Sequence, residues 1–136
     1  MSRVTVNVDG GARGNPGPAA IGVVLRDEDG RVLEEVGETI GEATNNVAEY
    51  KALLRGIELA SDQGATALEL IGDSELVVRQ VEGRYKVKNA GMKELHAEVK
   101  RALGDFDSWS IRHVRRAENA DADRLVNQAL DGVLDG

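Results

Sequence analysis

The hydrophobic pattern of the chain changes from a strand period to a helical period near residue 44, and this change limits the folds available to the chain. Residues 3–9 alternate polar and apolar side chains, which is typical of a strand with one buried face. Residues 20–26 and 32–40 are rich in β-forming residues, and Asp29 with Gly30 between them is a hairpin signal. The first third of the chain therefore predicts three antiparallel strands.

After residue 44 the apolar residues recur at helical spacing, with intervals of three, four and three residues from Val47. Asn45 and Asn46 offer an N-cap for this helix, and Gly64 ends it. The remaining elements are a strand over 67–71, a short helix after Asp73 and Ser74, a helical region over 89–103, a strand over 109–114, and a last helix from about 119 to about 130. Because strand–helix alternation implies right-handed crossovers and parallel pairing, we expect an α/β fold with a mixed sheet.

The composition limits both the domain count and the chemistry of the chain. Its 136 residues contain no linker or repeat, so we expect a single domain over residues 1–136. With no cysteine and two histidines, a thiolate metal site is excluded, and any bound metal should be a hard cation held by oxygen. Residues 1–10 lack a signal-peptide core and no apolar run approaches ~18 residues, so a cytoplasmic protein without membrane association is expected.

The charge balance argues against a nucleic-acid partner when taken alone. The chain has 17 Lys and Arg against 24 Asp and Glu, which gives a net charge of −7, whereas nucleic-acid-binding domains usually carry a basic stripe. If four of the acids belong to a metal site, the remaining net charge is −3 and the objection weakens.

The segment over residues 10–18 is dense in glycine and proline and predicts a turn. It has neither the G-x-G-x-x-G spacing of a dinucleotide loop nor the GK[ST] ending of a P-loop, and a strand follows it instead of a helix. We therefore reject a nucleotide-binding loop at this position.

Four acidic residues stand near the ends of predicted elements: Asp9, Glu49, Asp73 and Asp123. If the first and fourth strands are parallel neighbours, Asp9 and Asp73 leave the sheet at the edge where open α/β sheets bind ligands. Each acid also has an ordinary structural explanation. Asp73 and Asp123 suit helix N-termini, Asp9 suits a turn, and Glu49 could be a solvated side chain.

Taken together, four carboxylates at one sheet edge would repel each other unless a cation neutralised them. Oxygen-only ligands fit Mg²⁺ or Mn²⁺. Two such ions about 3.5–4 Å apart can activate a water and stabilise a leaving oxygen in phosphodiester chemistry. The pattern alone does not establish that the four acids converge.

Four ordered motifs resemble those of the type 1 ribonuclease H family. They are Asp9-Gly10-Gly11 with Gly14-Asn15-Pro16-Gly17, residues 44–50 (TNNVAEY), Asp73-Ser74, and Glu118-Asn119 with residues 122–125 (ADRL). The resemblance implies a mixed five-stranded sheet, three antiparallel strands followed by two parallel ones, flanked by helices. It also implies that Asp9, Glu49, Asp73 and Asp123 are catalytic and bind two Mg²⁺ ions, with Mn²⁺ as a substitute.

The reaction implied by this resemblance is endonucleolytic hydrolysis of the RNA strand of an RNA–DNA hybrid, leaving 5′-phosphate and 3′-hydroxyl ends. His113 matches a family histidine that is thought to assist proton transfer or product release. Two alternatives stay open for this position. His113 could be a buried histidine of the last strand, or Arg115 or Arg116 could take the role.

The resemblance also implies substrate-binding residues. The backbone around Gly11 and the amide of Asn15 would contact the RNA strand, and Thr44 with Asn89 would form a pocket for a DNA-strand phosphate. Asn45 has a donor and an acceptor that could reach base edges in the minor groove, and it could cap the helix as well.

One departure from the family pattern is the short segment over residues 83–88 (GRYKVK), where many members carry a long basic insertion. Its neighbourhood is basic and contains Arg84, Lys86, Lys88 and Lys93. We interpret this cluster, Lys86 and Lys88 above all, as substrate-facing, with a solvated helix face as the alternative. Glu75 replaces a common glutamine, so we expect a modest and salt-dependent affinity for hybrid.

Three functional hypotheses follow for this chain, which we expect to be a monomer. The first is a hybrid-cleaving enzyme, with double-stranded RNA as a minor substrate. The second is a non-catalytic module that binds hybrid, since a fold does not dictate function. The third is a metal-dependent nuclease that prefers another structured nucleic acid.

Overall fold

A computed structural model describes residues 2–132, which form one mixed sheet and four α-helices. The strands are β1 (Arg3–Ala12), β2 (Gly17–Arg26), β3 (Val32–Ala43), β4 (Ala67–Gly72) and β5 (Ser108–His113). The helices are α1 (Asn45–Asp62), α2 (Glu75–Val81), α3 (Ala90–Leu103) and α4 (Ala120–Leu130), with a 3₁₀ helix over Arg116–Asn119. Within the described residues, no helix is long and apolar enough to cross a membrane.

The sheet has the strand order β3-β2-β1-β4-β5. β2 pairs antiparallel with both β1 and β3, whereas β4 pairs parallel with both β1 and β5. This arrangement confirms the predicted mixed sheet. In the β1–β4 ladder Val8 lies opposite Gly72, so the residues that follow them, Asp9 and Asp73, leave at the same edge.

Helices cover both faces of the sheet because the strands are apolar on both sides. On one face, Tyr50, Leu53 and Ile57 of α1 pack with alternate residues of β1 and β2 and with α2 and α3. On the other face, Val126 and Ala129 of α4 pack against Ala20. Glu49 therefore approaches the sheet from one face, and Asp123 approaches from the other.

The predicted turn over residues 10–18 is wrong at both ends, because β1 continues through Ala12 and β2 already begins at Gly17. The glycines allow close backbone approach inside the strands. A Cβ added at Gly10 would lie 2.3 Å from the carbonyl oxygen of Ala48, and one at Gly17 would lie 2.2 Å from that of Arg13. The first glycine therefore lets the backbone of α1 touch β1.

The predicted N-cap of the first helix is also wrong. Thr44 caps α1, and its Oγ1 accepts the N–H of Val47 at 3.2 Å. Asn45 is the first helical residue, and its side chain is directed elsewhere, as described below. Asn89 caps α3 by accepting the N–H of Met92 at 3.1 Å.

Candidate active site

Three of the predicted acids converge at the carboxyl edge of the central strands. Asp9 lies in β1, Asp73 follows β4, and Glu49 comes from the second turn of α1. One carboxylate oxygen from each of the three lies within 4.8 Å of the others. Because the parallel β1–β4 pair delivers two of these acids, the cluster is a direct consequence of the sheet topology.

Glu49 is held in place by the backbone of β1. Its Oε1 accepts the N–H of Gly10 at 2.7 Å, and the residue is 5% exposed. This contact requires the close approach of α1 that a side chain at residue 10 would block. Glu49 is therefore a fixed, buried carboxylate, and the alternative of a solvated side chain is excluded.

Burial and mutual repulsion make the carboxylates of this cluster hard to ionise. Burial, with the nearby charges of Asp73 and Asp123, raises the pKa of Asp9 to about 7. Burial, together with the neighbouring Asp9, holds the pKa of Glu49 well above its ordinary value. A bound cation would offset this repulsion, and the all-oxygen donor set suits a hard divalent metal.

Asp123 faces the same cavity, of about 430 Å³, but lies outside the cluster of three. Its Oδ1 accepts a hydrogen bond from Arg116 Nη2 at 3.1 Å. Asn127 donates to the Asp123 backbone oxygen, also at 3.1 Å. The fourth predicted acid is thus turned toward an arginine, and Arg116 itself lines the cavity.

The predicted hybrid-contacting residues divide between the cavity and its surroundings. Gly11 and Asn45 line the cavity. Asn45 Oδ1 accepts the N–H of Ala12 at 2.8 Å, and the Asn45 N–H donates to Asn15 Oδ1 at 2.9 Å. These bonds join the start of α1 to the β1–β2 turn. The predicted residues that lie outside the cavity are Asn15, Thr44, Lys86, Lys88 and Asn89.

His113 also lies outside the cavity lining and is exposed at the end of β5, opposite Gly72 in the ladder. The alternative of a buried histidine is therefore wrong. Between the two arginines offered as alternatives, Arg116 lines the cavity and Arg115 does not.

Comparisons with known proteins agree with this geometry. A family model described as "Reverse transcriptase-like" matches residues 7–129. Ribonuclease HI of Halobacterium salinarum is 48% identical over 129 residues, which cover 95% of this chain. The chain belongs to the type 1 ribonuclease H family. The crystal structure of RNase H1 from the same archaeon superposes with a TM-score of 0.93 and covers 95% of this chain and 98% of that one.

Two further ribonuclease H structures are similar to this chain. The N-terminal RNase H domain of Mycobacterium tuberculosis Rv2228c is 42% identical, with a TM-score of 0.94 over 99% of this chain and 98% of that one. LC11-RNase H1, solved in complex with an RNA/DNA hybrid, is 46% identical, with a TM-score of 0.91 over 96% of this chain and 99% of that one. The chain spans 65% of the length of the full Halobacterium protein and 36% of that of Rv2228c.

Sequence reasoning about this ribonuclease H family member did not assign a role to Asn119. This residue is 1% exposed, and its Nδ2 donates to the backbone oxygen of Val8 at 2.8 Å. Its Oδ1 accepts from Asn7 Nδ2 at 3.0 Å. Asn119 thereby ties the turn before α4, which carries Arg116, to β1 next to Asp9. Its position in the fourth sequence motif was the feature that could have indicated this role.

Proposed function

We propose that this chain hydrolyses the RNA strand of RNA–DNA hybrids, with two Mg²⁺ ions, or Mn²⁺ in their place, held by Asp9, Glu49, Asp73 and Asp123. The observation that carries the proposal is the convergence of three carboxylates within 4.8 Å at the carboxyl edge of β1 and β4. Two of these carboxylates have raised pKa values because they are buried together. Such a cluster is suited to binding divalent cations.

Each acid has a distinct role in this proposal. Asp9 and Glu49 form the buried floor of the site, and the N–H of Gly10 fixes the orientation of Glu49. Asp73 is half-buried and stands toward the cavity, and Asp123 completes the ligand set from α4. When bound, the metal ions would activate a water for attack and stabilise the leaving oxygen of the phosphodiester.

Substrate orientation belongs to the residues around the acids. Asn45 and the backbone at Gly11 line the cavity, and Asn15 is hydrogen-bonded to Asn45. These groups suit a minor groove, where the 2′-hydroxyl groups distinguish RNA from DNA. The caps Thr44 and Asn89 stand at helix N-termini, which favour phosphate.

The remaining substrate contacts in this proposal come from basic and polar side chains outside the cavity. Lys86 and Lys88 are exposed on the segment before α3 and would attract the nucleic-acid backbone. His113, exposed at the end of β5, would assist proton transfer or product release. Support for the substrate class comes from LC11-RNase H1, a relative whose structure holds an RNA/DNA hybrid. Four further points stay predictions: minor activity on double-stranded RNA, a monomeric state, a single domain and a cytoplasmic location.

An assay with end-labelled substrates tests the proposal. The same oligonucleotide sequence is presented as RNA–DNA hybrid, double-stranded RNA, and double-stranded DNA, each with Mg²⁺, Mn²⁺ or EDTA. We expect cleavage of the RNA strand in the hybrid with either metal, with 5′-phosphate products and no cleavage in EDTA. Binding of hybrid without cleavage would instead identify a binding module. Faster cleavage of double-stranded RNA than of hybrid would identify a nuclease that prefers another structured nucleic acid.

A further inference from the structure

Gln80 is a buried polar residue on the apolar face of α2, 4% exposed, among Val77, Val78 and Val81. Its side chain has two partners from different parts of the fold. Oε1 accepts the hydroxyl of Tyr50 at 2.6 Å, and Nε2 lies 3.4 Å from the backbone oxygen of Lys86, to which it donates. Burying a side-chain amide costs free energy unless both its oxygen and its nitrogen are hydrogen-bonded. Both contacts are therefore needed to keep Gln80 buried.

The backbone around Gln80 makes further links to the same region. The Gln80 carbonyl oxygen can only accept, so His96 Nε2, which lies 2.9 Å away on α3, donates to it. The carbonyl oxygen of Arg79 accepts the N–H of Arg84 at 2.9 Å and that of Tyr85 at 3.2 Å. In the bond between Tyr50 and Gln80 the hydroxyl is the donor, because an amide oxygen can only accept.

These contacts join segments that have different roles in the proposed function. Tyr50 follows Glu49 on α1, whereas Lys86 belongs to the segment over residues 82–88, named here the basic loop. The charged side chains of Lys86 and Lys88 are exposed, whereas the backbone oxygen of Lys86 is bonded to Gln80 and the side chain of Val87 packs against the core. We propose that Gln80 is a positioning residue whose Nε2 holds the basic loop against α2, with its Oε1 satisfied by Tyr50, and that it thereby sets where the loop meets a hybrid on the metal site.

This inference rests on the proposed function for its consequence, because the basic loop is expected to bind nucleic acid. Gln80 touches neither the acids nor the cavity, so its effect must pass through the loop. Its loss should therefore weaken hybrid binding and leave the metal site intact. A residue that only stabilised the core would lower the melting temperature without changing the affinity of the folded protein.

Two variants separate positioning from simple stabilisation. Gln80→Met keeps the length and loses both side-chain bonds. Tyr50→Phe, the matched control, loses the same buried Tyr50–Gln80 bond but keeps the Gln80 amide against the basic loop. Gln80→Asn, one methylene shorter, serves the same test if Gln80→Met is too unstable to purify. All are measured well below their melting temperatures.

We expect both Gln80→Met and Tyr50→Phe to melt at lower temperature, and only Gln80→Met to change the loop. In hydrogen exchange, the Arg84 and Tyr85 amides should exchange faster in Gln80→Met than in Tyr50→Phe. On hybrid substrate, KM should rise about three- to tenfold in Gln80→Met with kcat within about twofold, and Tyr50→Phe should retain the wild-type KM. Mg²⁺ binding, followed by thermal shift, should match the wild type in both.

A second comparison asks whether Gln80 acts through the lysines. In a Lys86→Ala/Lys88→Ala background, Gln80→Met should cause no further rise in KM, because the groups that the loop presents are already gone. An equal KM rise in Tyr50→Phe and Gln80→Met, or unchanged amide exchange in Gln80→Met, would overturn the inference. If the wild type does not cleave hybrid, the proposed function fails, and the exchange measurement still decides whether Gln80 fixes the loop.

Discussion

The buried carboxylate of Asp9 suits a metal site but lowers the stability of the metal-free protein at neutral pH. Its pKa in the folded protein is about 7, above the ordinary value of 3.8, chiefly because it is buried. The folded protein therefore binds a proton that the unfolded chain releases between about pH 4 and pH 7. The contribution of Asp9 to the free energy of unfolding is fully present below about pH 4 and is lost as the pH rises toward 7.

Asp9→Asn should remove this pH dependence in metal-free protein. In EDTA, the free energy of unfolding of Asp9→Asn relative to wild type should increase from pH 4 to pH 8, reaching a gain of about 1–4 kcal/mol. Urea denaturation at a series of pH values checks this. Added Mg²⁺ should stabilise the wild type at pH 8 and have a smaller effect on the variant. A difference that shrinks with rising pH would contradict the assigned cause.

Asn45 and Asp123 should have separable effects on catalysis. Asn45→Ala removes a cavity-lining amide and the bond to the Ala12 N–H, so KM should rise, with a loss of stability of about 1 kcal/mol. Asp123→Asn removes the fourth proposed metal ligand, which would act on the transition state, so kcat should fall. Steady-state kinetics with thermal melts check both. A fall in kcat for Asn45→Ala at unchanged KM, with Asp123→Asn raising KM alone, would reverse the assignments.

At the scale of elements, the contact between α1 and β1 depends on Gly10. In Gly10→Ala the new Cβ would lie 2.3 Å from backbone atoms of Ala48 and 2.5 Å from the N of Glu49, so the helix must move away. We expect a loss of at least about 3 kcal/mol of unfolding free energy, and weaker Mg²⁺ binding because Glu49 is displaced. The matched control is Gly11→Ala.

At Gly11 the added Cβ meets only Val126 Cγ1, at 3.6 Å, which is an ordinary contact. Gly11→Ala should therefore lose less than about 1 kcal/mol of unfolding free energy. Chemical denaturation of both variants makes the comparison. Equal losses would show that glycine is needed in this strand for flexibility, and not for the approach of α1.

The elements differ in how far their sequences specify them. Alternating and helical periods were enough to predict five strands and four helices in the right order, because those periods report which side chains are buried. The ends of β1 and β2 were mispredicted because Gly10 and Gly17 look like turn residues. Gly10 in fact permits the close approach of Ala48 in α1, and Gly17 that of the Arg13 carbonyl group. The cap at Thr44 was missed because Asn45, its neighbour, is an equally good capping residue.

The candidate site was predictable as a set of motifs and not as a geometry. The convergence of Asp9, Glu49 and Asp73 depends on the parallel pairing of β1 and β4, which a residue pattern only suggests. The ion pair between Asp123 and Arg116 depends on how the 3₁₀ helix joins α4, and the buried Gln80 network arises from tertiary packing across distant segments. No local period carries that information.

For the whole molecule, the net charge of −7 must be reconciled with a polyanionic substrate. Bound divalent ions would neutralise the acidic centre, and the basic loop would supply local attraction. Lys86→Ala with Lys88→Ala should weaken hybrid binding and flatten the slope of log affinity against log salt by up to ~2. Fluorescence anisotropy at several salt concentrations measures that slope.

A charge-matched control is Arg3→Ala with Arg31→Ala. Arg3 begins β1 and Arg31 lies in the β2–β3 turn, so both stand at the end of the sheet opposite the acids. This double variant removes the same total charge and should leave the salt slope near that of the wild type. An equal flattening in both double variants would mean that net charge, and not the basic loop, governs binding.

The measurement that bears most directly on the proposed function is hybrid cleavage by Asp73→Asn. Asp73 is half-buried at the exit of β4, so the fold should survive the change, and the melting temperature in EDTA checks this. Asn lacks the ligand charge, so cleavage with Mg²⁺ should fall by more than about 100-fold while metal-free hybrid binding persists. Cleavage at the wild-type rate would show that the three converging carboxylates are not the active site.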